Sequence, residues 1–362
     1  ISLSRKENKF IKNEDLSFSK RAALIASGTT ITLDGGLLVL GTYIAPLKVG
    51  TPAITVEMLI DTGSANTAIP VLGCPTCGSN ISNYFDPSAS STFKSMTCSS
   101  AACQTCTPTS SSCTDCSDFF GNSYCSSSSP QNCGFGITYG GGGTALQGYY
   151  GYDQACFGSL CTNVTLSLIE NEYPPSNMDT GESTGILGLA SEFNACNPTC
   201  VPPILDEYVG AGLTTNLFSI CLNPSSGGVL DIGSINSARY TGSLQYAPMT
   251  LDRWYNIALL DIQIGGFSIG IPPFIYATTN DVIGTFVDSG TSVILMNSVS
   301  FESFSDTFIQ HFSSLPGVSR DGFFGSPACI LKSKIGQISS YPNVTFVVQS
   351  HDASSPISLP VP

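Results

Sequence analysis

The sequence predicts a mostly β fold built as two halves of similar texture, and three observations predict it. Short runs rich in β-branched and aromatic residues recur along the chain, broken by Gly and Pro, among them GTYIAPLKVGTP, GGVLDIGS and IALLDIQIGG. Helix-like periodicity is scarce, clearest over residues 203–210 and again near 300–312. One local grammar occurs twice, 227 residues apart: Met58-Leu59-Ile60-Asp61-Thr62-Gly63-Ser64 and Thr285-Phe286-Val287-Asp288-Ser289-Gly290-Thr291. In each, an apolar strand ends in Asp, followed by a hydroxyl residue, Gly and a second hydroxyl residue.

The elements follow in order. Residues 1–39 form a basic leader, polar and then weakly apolar, without firm periodicity. A first lobe spans 40–216, opening with two strands joined by a Gly-Thr-Pro turn and running into Asp61. Residues 74–133 are rich in Cys, Ser and Thr and poor in apolar side chains, which reads as a disulfide-stapled surface excursion. Strand signals resume over 135–139, turn at the Gly140–Gly143 run and return through Tyr152. A second lobe spans 217–362, with many short strands at turn-punctuated spacing.

Bulk properties exclude several classes of function. The 362 residues suffice for two domains, and 42% hydrophobic content supports a sizeable core. The formal net charge is -13, and six of the 13 basic residues (Arg5, Lys6, Lys9, Lys12, Lys20, Arg21) fall within the first 21 positions. Beyond them seven Lys and Arg face 23 Asp and Glu, so nucleic acid and anionic membrane are poor partners. A body with few permanent cations also suits an acidic compartment, because protonating its carboxylates leaves little positive charge. Fifteen cysteines point to an oxidising compartment, and Asn80, Asn163 and Asn343 open glycosylation sequons. No apolar run reaches the ~18 residues of a membrane span. The first residue is Ile, so the chain reads as processed or as a fragment.

The repeated motif carries the chemistry. Gly lets each loop turn tightly and approach another group closely, and the flanking hydroxyls can orient a carboxylate. Two such loops face to face would bring Asp61 and Asp288 within sharing distance. Like charges that close do not both ionise readily, so one carboxyl keeps a proton. The ionised partner can then deprotonate a water while the protonated one polarises a peptide carbonyl. A single Asp-Thr-Gly or Asp-Ser-Gly triplet more often marks an ordinary turn; two copies, each behind an apolar run, favour the catalytic reading.

At these residues the chain resembles the pepsin-like aspartic endopeptidases, from about residue 41 to its end. GTYIAPLKVGTPAITVEMLIDTGSANTAIP is similar to the family's opening strands and first catalytic loop, ITYGGGG to its flap, and STGILGLA to the apolar-apolar-Gly segment of its first lobe. GGVLDIGSINSARYTGSLQYAPM and WYNIALLDIQIGG resemble the start of the second lobe. The resemblance implies the bilobal pepsin-like fold, with Asp61 and Asp288 catalytic. It implies that Thr62, Gly63, Ser64, Ser289, Gly290 and Thr291 support the dyad. Ser64 and Thr291 would bond the outer carboxylate oxygens, and the Thr62 and Ser289 hydroxyls would interlock the loops. Tyr139, with Gly140, would form the flap over substrate. It further implies a monomer without cofactor or metal, acting on peptides or proteins and inhibited by pepstatin-like compounds. FDPSASSTFKSMTCSSAAC narrows the resemblance to the nepenthesin-type branch and the related plasmepsin-V-like proteases, which carry a Cys-rich insertion in the first lobe.

Two departures stand out. Where the family commonly has a Trp that bonds the flap tyrosine, this chain has Ala68. By the resemblance the chain also ends early: the second apolar-apolar-Gly segment and final strands are missing after YPNVTFVVQS. The second lobe is then expected to be incomplete, and residues 1–362 alone to fold poorly or be inactive.

The remaining features weigh as follows. Cys74/Cys77, Cys103/Cys106 and Cys113/Cys116 are C-x-x-C pairs, but six residues between the last two pairs and no nearby His argue for disulfides over zinc. The odd count leaves one thiol over, with Cys329 the expected orphan. His311 and His351 lack a nucleophile motif and read as surface residues. The composition of the basic leader fits a disordered tail, whereas the resemblance implies a prosegment over an acidic cleft, with Lys12 or Lys20 to neutralise the dyad. The expected location is the secretory pathway, ending outside the cell or in a lysosome- or vacuole-like compartment. The alternatives are a catalytically silent binding or inhibitor protein on the same fold, or a Cys-rich structural glycoprotein; the second does not account for the paired loops.

Overall fold

The computed structural model describes residues 2–4, 28–78, 81, 83–103, 132–140, 143–175, 184–196, 199–279, 282–325, 337–352 and 355–361. Lys12, Lys20, Asn80, Cys106, Cys113, Cys116 and Cys329 lie outside them. The described chain is mostly β, as its sequence predicts, and forms two compact units. The first comprises Ile1–Thr241, Asp252–Trp254 and Asp288–Ser292; the second comprises Gly242–Leu251, Tyr255–Val287 and Val293–Pro362.

The strands of the first unit are β1 (Ser2–Ser4), β2 (Thr29–Gly36), β3 (Thr42–Val49), β4 (Ile54–Asp61), β5 (Thr67–Pro70), β6 (Lys94–Ser95), β7 (Gly134–Tyr139), β8 (Thr144–Phe157), β9 (Leu160–Tyr173), β10 (Gly185–Gly188), β11 (Leu217–Leu222) and β12 (Gly228–Ile232). They join in one sheet in the order β1-β11-β12-β2-β3-β4-β10-β5-β9-β8-β6, with β7 paired to β8. The 216/217 lobe boundary read from the sequence does not separate these units, because β11 and β12 pair onward to β2. Nor is all of 1–39 a leader: β2 alternates buried and exposed side chains through Thr29, Ile31 and Leu33. Its short, hydroxyl-rich text hides that period.

β4 shows how sequence places the first loop. Val56, Met58 and Ile60 are fully buried, which fixes the strand up to Asp61. β10 runs parallel to it with Gly188 opposite Asp61. Beyond the pairing, Leu189 N–H donates to the Asp61 carbonyl (2.8 Å) and Ala190 N–H to the Ser64 carbonyl (2.7 Å). A Cβ on Gly188 would sit 2.6 Å from Ala65 Cα, which is why the apolar-apolar-Gly run ends in Gly.

The Cys-rich segment is not wholly a surface excursion. Cys77, Met96, Cys103 and Cys133 are buried in one core cluster of this unit with Phe135, Leu146 and Tyr150. Disulfides join Cys74 to Cys77, Cys103 to Cys133, Cys156 to Cys161 and Cys196 to Cys200. Cys103 thus bonds Cys133 rather than its C-x-x-C neighbour Cys106. Among the described cysteines Cys221, on β11, is a free, exposed thiol; the expectation for Cys329 lies outside the described residues.

Helix α1 (Ile204–Gly210) docks Ile204, Leu205 and Tyr208 into this unit. Its Glu207 accepts hydrogen bonds from Thr165 N–H and Oγ1, both at 2.9 Å, on β9. Burial outweighs these donors and pushes the Glu207 carboxyl up to about 7. The folded state therefore binds this proton more tightly than the unfolded chain does. The contribution to stability is complete below the ordinary Glu range near 4.5 and is lost as pH rises through about 7. Thermal melts should accordingly give a higher Tm at pH 5 than at pH 8, by roughly a few degrees. Glu207→Gln should reduce that difference; an unchanged slope in the variant would remove Glu207 as a source of it.

Strand β13 (Met249–Asp252) pairs with β14 (Tyr255–Ile257). A four-stranded sheet follows the order β16 (Phe267–Ser268), β15 (Leu259–Ile264), β17 (Val344–Val348), β18 (Ile357–Val361). Helix α2 (Ser298–Phe312) starts at Asn297, whose side chain accepts from Ser300 N–H (2.8 Å), and buries Phe308 in the core with Ile262, Ile264 and Val348. His311 is exposed on α2 and stacks on Phe267 at 3.7 Å between ring centroids; His351 is exposed too. The apolar run before Asp288 is not a full strand. Phe286 makes one isolated bridge to Asn256, and Ile257 N–H donates to the Thr285 carbonyl (3.0 Å). No described helix is long and apolar enough to cross a membrane.

Candidate active site

Asp61 and Asp288 both belong to the first unit, each at the head of a tight loop. Within each loop the glycine amide turns back on the carboxylate. Gly63 N–H donates to Asp61 Oδ1 and Gly290 N–H to Asp288 Oδ1, both at 2.8 Å. The second hydroxyl residue holds the other oxygen: Ser64 Oγ donates to Asp61 Oδ2, and Thr291 Oγ1 to Asp288 Oδ2 at 2.6 Å. The repeated sequence thus folds into a repeated geometry.

The loops also grip each other. Thr62 N–H donates to Ser289 Oγ (3.1 Å) and Ser289 N–H to Thr62 Oγ1 (2.9 Å). Ser289 Oγ in turn donates to the Ile60 carbonyl (2.7 Å), one residue before Asp61. Ser292 Oγ bonds the Gly41 carbonyl (2.6 Å), tying the end of the second loop to the start of β3. The glycines are what permit this closeness. A Cβ on Gly63 would lie 2.6 Å from Asp288 Cγ, and one on Gly290 would collide with Asp61 Oδ1. A side chain at either position would force the two carboxyls apart.

The electrostatics follow from that approach. Asp61 is 5% exposed. Burial, then the charge of Asp288, push its carboxyl up to about 7, against the opposing hydrogen bonds from Ser64 and Gly63. A shared hydrogen bond with Asp288 acts in the same upward direction. The arrangement therefore favours a proton held within the pair. It can hold a polar atom, a water above all, against an ionised oxygen and a protonated one together.

Tyr139 closes β7, opposite Thr144 on β8, and Gly140 next to it takes φ 57° to begin the turn. The Tyr139 ring packs on the core that contains Ala68, Leu146 and Ile186. Its hydroxyl is buried, and no atom among the described residues meets hydrogen-bond geometry to it. Burial first, and then the charge of Asp61, hold the phenol above its usual range; the nearby Ser64 hydroxyl slightly opposes them. Ala68 is fully buried on β5 and offers the phenol nothing. Trp254, which the sequence reading did not single out, donates its indole Nε1–H to the Gly63 carbonyl at 2.8 Å. Its one signal in the sequence was being the only tryptophan. Among the described residues no group of three or more His, Cys, Asp or Glu converges as metal ligands do.

A family model described as eukaryotic aspartyl protease matches residues 42–102 and 97–358. Pepsin-3 of Oryctolagus cuniculus is 30% identical over 256 residues, covering 70% of this chain and 54% of that protein. Cathepsin D of Dictyostelium discoideum is 28% identical, covering 76% of this chain and 61% of that protein. Pepsin A of Bos taurus is 27% identical, with 88% and 69% covered. The chain thus spans between 54% and 69% of the length of these relatives.

Proposed function

Because the chain belongs to the eukaryotic aspartyl protease family, we propose that it is an aspartic-type endopeptidase whose dyad is Asp61 and Asp288. The observation that carries this reading is the pair of interlocked loops, which brings the two carboxyls close enough to share a proton. In the reaction, the ionised carboxyl takes a proton from the bound water as its oxygen attacks the peptide carbonyl. The protonated carboxyl gives its proton to the carbonyl oxygen. Collapse of the tetrahedral species breaks the C–N bond: the amine leaves with the proton first taken from water, and one hydroxyl of the tetrahedral carbon returns its proton to the other carboxyl as the new C=O forms. Thr62, Ser64, Ser289 and Thr291 hold the two carboxyls in register throughout.

The substrates are peptides or proteins, pepstatin-like compounds inhibit, and the working range is acid. Tyr139 and Gly140 at the turn after β7 form the flap of this site. Ala68 leaves the flap tyrosine without the partner common in the family. The enzyme works as a monomer. The four disulfides among the described residues suit passage through the secretory pathway to the outside or to a lysosome-like compartment. The Asp-Pro-Ser-Ala-Ser-Ser-Thr-Phe run from Asp86 to Phe93 and the Cys-rich segment favour the nepenthesin-type, plasmepsin-V-like branch.

The test is cleavage of unfolded protein by the product of the complete gene between pH 3 and pH 9, with and without pepstatin. Activity should run through the acid range and fall as pH rises past about 7, where the pair loses its last proton. Pepstatin should abolish it. An alkaline limb absent up to pH 9, or cleavage indifferent to pepstatin, contradicts the dyad mechanism.

A further inference from the structure

Gly63 has three tasks at once. Its amide bonds Asp61 Oδ1, its Cα faces the Asp288 carboxyl, and its carbonyl accepts the indole N–H of Trp254 at 2.8 Å. Glycine is also the residue with the greatest backbone freedom, so the peptide planes around it need outside restraint. Other carbonyls of the loop obtain it from the main chain. Leu189 N–H holds that of Asp61, and Ala190 N–H holds that of Ser64. At Gly63 the restraint comes from a side chain.

Trp254 is itself aimed. The Arg253 carbonyl accepts from Ser191 N–H (3.2 Å) and Asn194 Nδ2 (2.9 Å), and the Asp252 carbonyl accepts from Ser191 Oγ (3.2 Å). These bonds seat Asp252–Trp254 on the segment that follows β10, the same segment that backs the Asp61 loop. The indole packs half-buried on the core of the first unit, and the Arg253 guanidinium lies 5.6 Å from the ring centroid.

We infer that Trp254 is a positioning residue for the dyad: its indole N–H fixes the Gly63 carbonyl, hence the Gly63–Ser64 peptide plane, and so the placement of the Gly63 amide and the Ser64 hydroxyl that orient Asp61. It acts through Gly63 and touches neither carboxyl in this role. The kinetic part of the inference rests on the endopeptidase reading above, whereas the hydrogen bond and its coupling to Asp61 do not.

Trp254→Phe keeps an aromatic ring, smaller than the indole, and removes the donor. The expected result is a kcat lowered about fivefold to tenfold, the loss of one part-buried hydrogen bond, with KM changed less than about threefold. The alkaline limb of the pH profile should move upward, because a loosened Gly63 amide holds the Asp61 carboxylate less well. A ring that merely fills space would leave that limb where it was. An unchanged kcat and limb in Trp254→Phe overturns the inference.

A second measurement needs neither activity nor a Trp254 variant. The chain has one Trp, so its indole N–H gives a single, unambiguous NMR resonance. In the unsubstituted protein that proton should be protected from exchange and should shift with pH as the dyad titrates. In Asp61→Asn the pH-dependent shift should vanish. An indole proton exchanging at the rate of free tryptophan, or one whose shift ignores Asp61, also overturns the inference. A protein that cleaves nothing, yet shows the protected and titrating indole, supports the positioning and sinks the endopeptidase reading instead.

Discussion

Asp288→Asn should lower peptide cleavage by on the order of 10³–10⁴-fold while leaving the melting temperature within a few degrees of the parent. The substitution is nearly isosteric. Gly290 N–H can still donate to the remaining carbonyl oxygen, and the amide can donate to Thr291 Oγ1 in place of accepting from it. The Thr62–Ser289 grip does not involve the carboxyl at all. What disappears is the second ionisable group. One carboxyl alone can either take a proton from water or give one to the carbonyl, and the reaction needs both in one encounter. The residual rate carries a further signature. Burial is the larger cause of the raised Asp61 carboxyl and the Asp288 charge the smaller. Any remaining activity should therefore titrate lower than in the parent, yet still above an ordinary aspartate. Cleavage that survives Asp288→Asn at near-parent rates would remove the dyad; a collapsed melting temperature would show the substitution acting on the fold.

How much of this was legible in the sequence depends on the range of the interaction. Asp61, Gly63 and Ser64 could be read because each bonds within three residues of itself, and Asp288, Gly290 and Thr291 repeat the pattern. The mostly β fold was legible for the same reason, since strand and turn signals are local. β2 was not, because TTITLDGG carries only two large apolar residues and owes its place to pairing with β3 and β12. The run into Asp288 was read as a strand from its apolar text, but a strand needs partners, and Phe286 has one bridge. Trp254 lies 191 residues from Gly63 in the chain, and no local pattern announces a bond of that separation. The Cys103–Cys133 pairing was equally hidden, because spacing proposes neighbours while the fold chooses.

Asp231 is a case where the sequence held a warning that only the structure explains, and it carries the largest stability effect expected away from the site. It lies in GVLDI, mid-strand on β12, between Ser219 of β11 and Thr30 of β2, with a side chain only 1% exposed. An acidic side chain that deep needs partners. Arg239 supplies a bidentate pair, Nε to Oδ2 at 2.7 Å and Nη2 to Oδ1 at 3.2 Å, and Thr30 Oγ1 donates to Oδ1 at 2.5 Å. Arg239 ends the short Ser237–Arg239 turn, itself capped by the Asn236 side chain on Ala238 N–H. Arg239→Met should keep much of the packing but leave the carboxylate with one hydroxyl donor, costing about 3 kcal/mol. For a unit of this size that is a fall in Tm of roughly 6–12 °C. Adding Asp231→Leu should restore most of it, since removing both charges removes the desolvation penalty along with the attraction, and Thr30 is exposed enough to turn to water. The Arg320–Asp306 pair is the control: its side chains are 52% and 68% exposed, and Arg320→Met should move stability by no more than about 0.5 kcal/mol. If the two single variants melt alike, burial is not what gives the Asp231 pair its weight; if the double variant melts no higher than Arg239→Met, the penalty lies in the lost turn and not in an orphaned charge.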